Sequence, residues 1–76
     1  MTDQEARQRI QAFVDGGSLK ELVVWYAENM WEPQPHWSPW LKSAYGDISI
    51  VYSEYTNKDI TLTTARRILA ETLELT

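Results

Sequence analysis

Asp47-Ile48-Ser49-Ile50-Val51-Tyr52-Ser53-Glu54-Tyr55 is the stretch on which the fold class turns. In an extended chain Ile48, Ile50 and Tyr52 fall on one side, and Ser49, Val51, Ser53 and Tyr55 on the other. That alternation predicts a half-buried strand over 47–55. Backbone groups of a strand need partners. Thr56-Asn57-Lys58-Asp59 reads as a turn, so Ile60-Thr61-Leu62 is expected to return as a short second strand. A lone hairpin is marginal in water. Helices packed on it would support it, as would pairing of residues 48–55 with a second copy of the chain.

The segments on either side read as helices. Ala6, Ile10, Phe13 and Val14 recur at helical spacing over 3–14. Thr2 with Glu5 forms a capping-box spacing at the entrance, and Gly16-Gly17 supplies a left-handed exit. Ser18 with Glu21 repeats the capping signal and starts a second helix that runs to about Met30. Its main face carries Leu19, Leu22, Val23, Tyr26, Ala27 and Met30, with Val24 and Trp31 widening one flank and Trp25 opposite them near Glu21 and Glu28. A helix apolar around most of its girth is central or touches two surfaces. Pro33, Pro35 and Pro39 make residues 31–40 an extended, polyproline-like segment carrying Trp31, Trp37 and Trp40, after which Leu41 to Tyr45 add a turn of helix before Gly46. A last helix spans about Thr63 to Leu73 on a Leu62, Ala65, Leu69, Leu73 stripe, with Thr61, Thr63 and Asp59 competing as its cap. The expected fold class is therefore α+β. One small domain over 1–76 would hold a helical hairpin, an aromatic and Pro-rich loop, a strand or short β-hairpin, and a C-terminal helix.

Size and composition narrow the function. A 76-residue chain buries only about 60% of the surface it exposes when unfolded, so its core needs reinforcement. Cysteine is absent, which removes disulfides and thiolate metal sites and suits a reducing compartment. Bulk is the remaining means: four Trp, four Tyr and one Phe. Tyr26, Trp31 and Tyr52 suit core positions. With eleven acids against seven bases the formal charge is -4, the wrong sign for neutralising phosphates. The N-terminus shows neither a basic region nor an apolar run typical of a secretory signal, and no apolar stretch reaches the roughly 18 residues of a membrane span. A cytoplasmic location is expected.

Catalytic chemistry finds little to stand on. Glu28, Glu32 and His36 fall at four-residue steps, the spacing of metal ligands on a helix, but Pro33 and Pro35 break that helix and no metal site is expected. No nucleophile elbow, phosphate-cradling Gly-rich loop or thiol is present, and neither an enzymatic activity nor a cofactor is expected. The helix, Asp15-Gly16-Gly17, helix outline matches a helix-turn-helix. Its second helix offers the single base Lys20 beside Glu21 and Glu28, a poor fit to base readout. Arg66-Arg67 is the only adjacent basic pair, and Glu71 one turn beyond Arg67 favours an intrahelical ion pair or a solvated face.

Aromatic density is what remains. Trp and Tyr bury large areas at low entropy cost while keeping a polar handle, which suits partner binding. Trp25, Trp37 and Trp40 are the expected exposed anchors, with Glu21 and Glu28 as an acidic rim favouring a basic patch on the partner. The expected function is a small acidic protein–protein interaction module: a regulator, inhibitor, immunity-type factor or accessory subunit. The alternatives are a helix-turn-helix-like nucleic-acid-binding protein and a small sugar- or ligand-binding domain. A homodimer is a further expectation, since a second copy would partner the strand.

Overall fold

A side-chain hydroxyl caps each of the four helices in the computed structural model, which describes residues 2–30, 32 and 34–74. Thr2 Oγ1 accepts from the Glu5 amide at 3.1 Å to start α1 (Asp3–Val14). Ser18 Oγ does the same for Glu21 at 3.1 Å in α2 (Leu19–Asn29). In α3 (Pro39–Thr56) Ser38 Oγ accepts from the Leu41 amide at 3.1 Å, and Pro39 takes a first-turn position, where its missing N–H costs nothing and its fixed φ suits the helix. Thr61 Oγ1 receives the Thr64 amide at 3.2 Å at the entrance to α4 (Leu62–Glu74). Each such cap is worth about 1 kcal/mol relative to alanine.

The expected α+β class is overturned. No strand occurs among the described residues; 47–55, assigned to a strand, is the second half of the 18-residue helix α3. The return strand at Ile60–Leu62 is likewise absent, its residues forming the approach to and first residue of α4. The alternation at 48, 50 and 52 coexists with a longer helical series: Leu41, Ala44, Ile48 and Val51 are all buried, at steps of three and four that only a helix aligns. Ser38 and Pro39 start the helix far enough upstream to enclose the whole series. The extended, polyproline-like segment expected over 31–40 is not seen among its described residues: 35 and 36 lie in a turn, and Pro39 and Trp40 belong to α3. Trp37 N–H donates to the Gln34 carbonyl at 3.2 Å, closing a turn, while Trp31 and Pro33 lie outside the described residues.

Two helix ends share one stop. At the end of α1 the Gly17 amide reaches Ala12 O at 2.9 Å and the Gly16 amide reaches Phe13 O at 3.0 Å, with Gly16 at φ 117°. At the end of α3 the Asp59 amide reaches Glu54 O at 2.8 Å and the Lys58 amide reaches Tyr55 O at 3.0 Å. Both sets are the paired bonds of a Schellman stop. Lys58 takes the left-handed position at φ 65°, which glycine fills without steric cost.

Ile10 and Phe13 of α1, Leu22 and Trp25 of α2, Ile48 and Val51 of α3, and Leu69 of α4 meet in one hydrophobic core. α1 packs along α4, α4 along α3, and α2 lies across α1 and α3 without packing on α4. The outer side of α2 is therefore uncovered by the rest of the described chain. Arg66 ties α4 to the turn after α1. Its Nε donates to Phe13 O at 3.1 Å, its Nη2 to Gly17 O at 3.2 Å, and its guanidinium lies 5.2 Å from the Phe13 ring centre.

Candidate protein-binding surface

Large side chains left in water are the informative ones in so small a protein, because most of its bulk is needed for the core. The indoles expected to face solvent do not. Trp25, Trp37 and Trp40 are 5%, 7% and 7% exposed. Trp25 sits between α1 and α2, its Nε1 donating to Glu5 Oε1 at 3.2 Å. Trp37 packs against Tyr45, ring centres 6.0 Å apart. Trp40 donates from Nε1 to Thr72 O at 3.0 Å, with the Arg7 guanidinium 4.0 Å above its ring. Each polar handle offered for a partner at Trp25 and Trp40 is spent inside the chain. Burial explains the correction: with no disulfide available, the core takes the largest apolar groups.

Glu21 and Glu28 are exposed on α2, as expected, and line an open depression with Arg9, Ser18, Lys20, Val24 and the largely buried Trp25. Trp37 and Trp40 do not line it, so the five expected binding residues do not form one surface. Tyr26, expected in the core, is half-buried; it stacks on Tyr45 at 5.5 Å between ring centres and is hydrogen-bonded to the Ser49 hydroxyl. Tyr52, also expected in the core, is exposed.

A different surface takes shape around it. Val24, Tyr52 and Tyr55 are 47%, 46% and 40% exposed. They frame a largely apolar groove of about 300 Å³ between α2 and the end of α3, with Leu19 and Val23 along its length and Lys20 and Thr56 at its edges. Helical geometry makes this cluster. Tyr52 and Tyr55 stand three residues apart and share a side of α3; a strand would send them to opposite faces. Leu19 and Val23 are four apart on α2 and meet them across the cleft. Val24 carries the apolar surface over the rim of the groove towards the Glu21 and Glu28 depression, since it borders both.

The arrangement offers apolar contact and two phenol hydroxyls, with no gathered set of acids, bases or nucleophiles. Among the described residues no three His, Asp or Glu side chains stand close enough to hold a metal ion. No helix among them is long and apolar enough to cross a membrane. No protein-family model matches the chain, and no match to it was found among curated proteins or solved structures.

Proposed function

We propose that this chain is a cytoplasmic protein-interaction module whose working surface is the apolar groove and rim shared by α2 and the end of α3. The observation that carries this reading is the gathering of Val24, Tyr52 and Tyr55, all exposed, around a groove with Leu19 and Val23 in its lining. Contiguous apolar surface of this kind is a cost in a small soluble protein unless something covers it. Tyrosine is favoured at such sites for its flat area and single polar tip. The formal charge of -4 speaks against a phosphate backbone as the ligand, and the cysteine-free sequence suits a reducing compartment.

The test places a photo-crosslinking residue at Val24, with Gln8 on the outer side of α1 as the control position, in cells that natively make the protein. Irradiation is expected to give a discrete protein adduct from position 24, whether with another protein or with the chain itself, and none of that adduct from position 8. Adding Tyr52→Ala and Tyr55→Ala should abolish the adduct while changing stability by about 1 kcal/mol or less apiece, since both side chains are already near half exposed. Equal labelling from both positions, or none from position 24, would remove the α2–α3 surface as the interface.

A further inference from the structure

We infer that the molecule covering this face is a second copy of the chain, docked α2 against α2, antiparallel about a two-fold axis that crosses the seam at Val24. This takes the α2–α3 surface to be an interface, as proposed above, and adds what occupies it.

The outer ridge of α2 is self-complementary. Lys20, Val24 and Glu28 follow one another at four-residue steps and all three are exposed, so they form a single row along the helix. Two antiparallel helices related by a two-fold axis at Val24 bring each residue four before it against the residue four after it in the other copy. Val24 then meets Val24 at the centre, and Lys20 of each copy meets Glu28 of the other. The two opposite charges stand symmetrically about an apolar midpoint. A foreign helix would require no such symmetry.

The signs of these charges are also the wrong ones for α2 on its own. Lys20 lies in the first turn, near the positive end of the helix, and Glu28 in the last turn, near the negative end. Glu21 offsets the first of these, but the last turn holds no basic residue. Eight residues of helix, about 12 Å of rise, keep Lys20 and Glu28 from pairing with each other. An antiparallel neighbour reverses the situation at both ends: it sets Lys20 beside a helix C-terminus and Glu28 beside a helix N-terminus.

Area requires more than the ridge. A specific interface takes about 800 Å² from each partner, roughly a sixth of the 4903 Å² this chain exposes. The two-fold axis adds both grooves to the ridge, because it runs across the helices and leaves the two copies' grooves on the same side of the seam. Tyr52 and Tyr55 of the two copies then extend the contact from the Val24 centre, and the exposed Ala27 lets the helices approach closely.

Sedimentation equilibrium of the full chain is the test, on the wild type, K20E, E28K, an equimolar mixture of those two variants, and the double variant K20E/E28K. Both positions are exposed, and each substitution suits the helix dipole, so α2 should keep its helicity by circular dichroism. The wild type is expected at twice 8.9 kDa. Each single variant sets like charges together at two places and should raise the dissociation constant about tenfold or more. The mixture restores opposite charges at both places in a mixed dimer, as the double variant does in its own dimer, and both should recover wild-type association. A wild type that stays monomeric to about 1 mM, or a dimer indifferent to both single swaps, would overturn the antiparallel α2 pair. A monomer whose position 24 still crosslinks to another protein would leave the α2–α3 interface standing and remove only the second copy as its occupant.

Discussion

Trp40 Nε1 donates to the backbone carbonyl of Thr72 at 3.0 Å, a buried bond joining the first turn of α3 to the last turn of α4. The ring is further held by Arg7, which lies over it and also donates to Leu73 O at 3.1 Å. Trp40→Phe keeps most of the apolar bulk and removes the donor, so it should cost about 1–3 kcal/mol. The measurement is a urea titration, with a lower midpoint and an unchanged slope. Trp25→Ala, Trp37→Ala and Trp40→Ala should each cost about 3–5 kcal/mol. Total stabilities run only about 5–15 kcal/mol, so the triple variant is expected to be unfolded, where exposed anchors would have left the fold intact.

Arg66 and Arg67 are neighbours in sequence with opposite expected behaviour. Arg66 bridges two carbonyls at the end of α1, whereas Arg67 is exposed. Arg66→Met retains the stem and loses both bonds, at about 1–3 kcal/mol. In a domain of this size that lowers the thermal midpoint by about 4–8 °C per kcal/mol. Arg67→Met should stay within about 0.5 kcal/mol of the wild type. Equal effects of the two would show that Arg66 is not the tie between α4 and α1.

Two positions at helix ends and one inside a helix should respond to substitution with different signs. A Cβ at Gly17 would stand 2.7 Å from the Ala12 carbonyl oxygen, so Gly17→Ala forces the backbone to shift and is destabilising. Gly46 sits inside α3, and a methyl group there would meet nothing within 4 Å. Gly46→Ala should therefore stabilise by about 0.5–1 kcal/mol through helix propensity. Lys58→Gly relieves the left-handed strain at φ 65° and should stabilise by about 1 kcal/mol. Chemical denaturation of the three variants checks all of the signs together.

Alkaline pH should expose the contribution of the Tyr26–Tyr45 stack. The adjoining Tyr26 hydroxyl, and to a smaller extent burial, push the Tyr45 phenol above its ordinary value of 10.0. The folded state therefore holds that proton more tightly than the unfolded state does. Its contribution to stability is fully present below about pH 10 and is lost as pH rises through the folded value. The urea midpoint of the wild type should fall faster than that of Tyr45→Phe above about pH 10, and parallel falls would contradict the raised phenol.

Helices α1, α2 and α4 were legible because punctuation and period agree in them. Thr2 with Glu5, Ser18 with Glu21, and Gly16-Gly17 mark boundaries, and Ile10, Leu22 and Leu69 lie on the expected stripes. α3 was not, because residues 47–55 satisfy two periods at once. Read alone they alternate; read from Ser38 and Pro39 they continue a helical series through Leu41 and Ala44. The prolines that suggested an extended loop include the one that begins the helix. That error of period also hid the candidate surface, since it sent Tyr52 and Tyr55 to opposite faces and Tyr52 into the core. Indole burial is not legible in the sequence for another reason. Whether a Trp faces in or out depends on tertiary neighbours such as Glu5, Thr72 and Arg7, and no local pattern encodes them. Val24 was the visible signal, an apolar residue widening α2 beyond what one core needs.

A second copy of this protein, meeting the uncovered side of α2 and the end of α3, is the occupant inferred for that surface. A dilution series of amide nitrogen–proton NMR spectra, from about 1 mM to about 10 μM, decides it residue by residue. Concentration-dependent shifts are expected at Lys20, Val24, Ala27, Glu28, Tyr52 and Tyr55, with Gln4, Gln8 and Gln11 of α1 unmoved. Spectra that do not change with concentration, or shifts centred on α1 and α4, would contradict it.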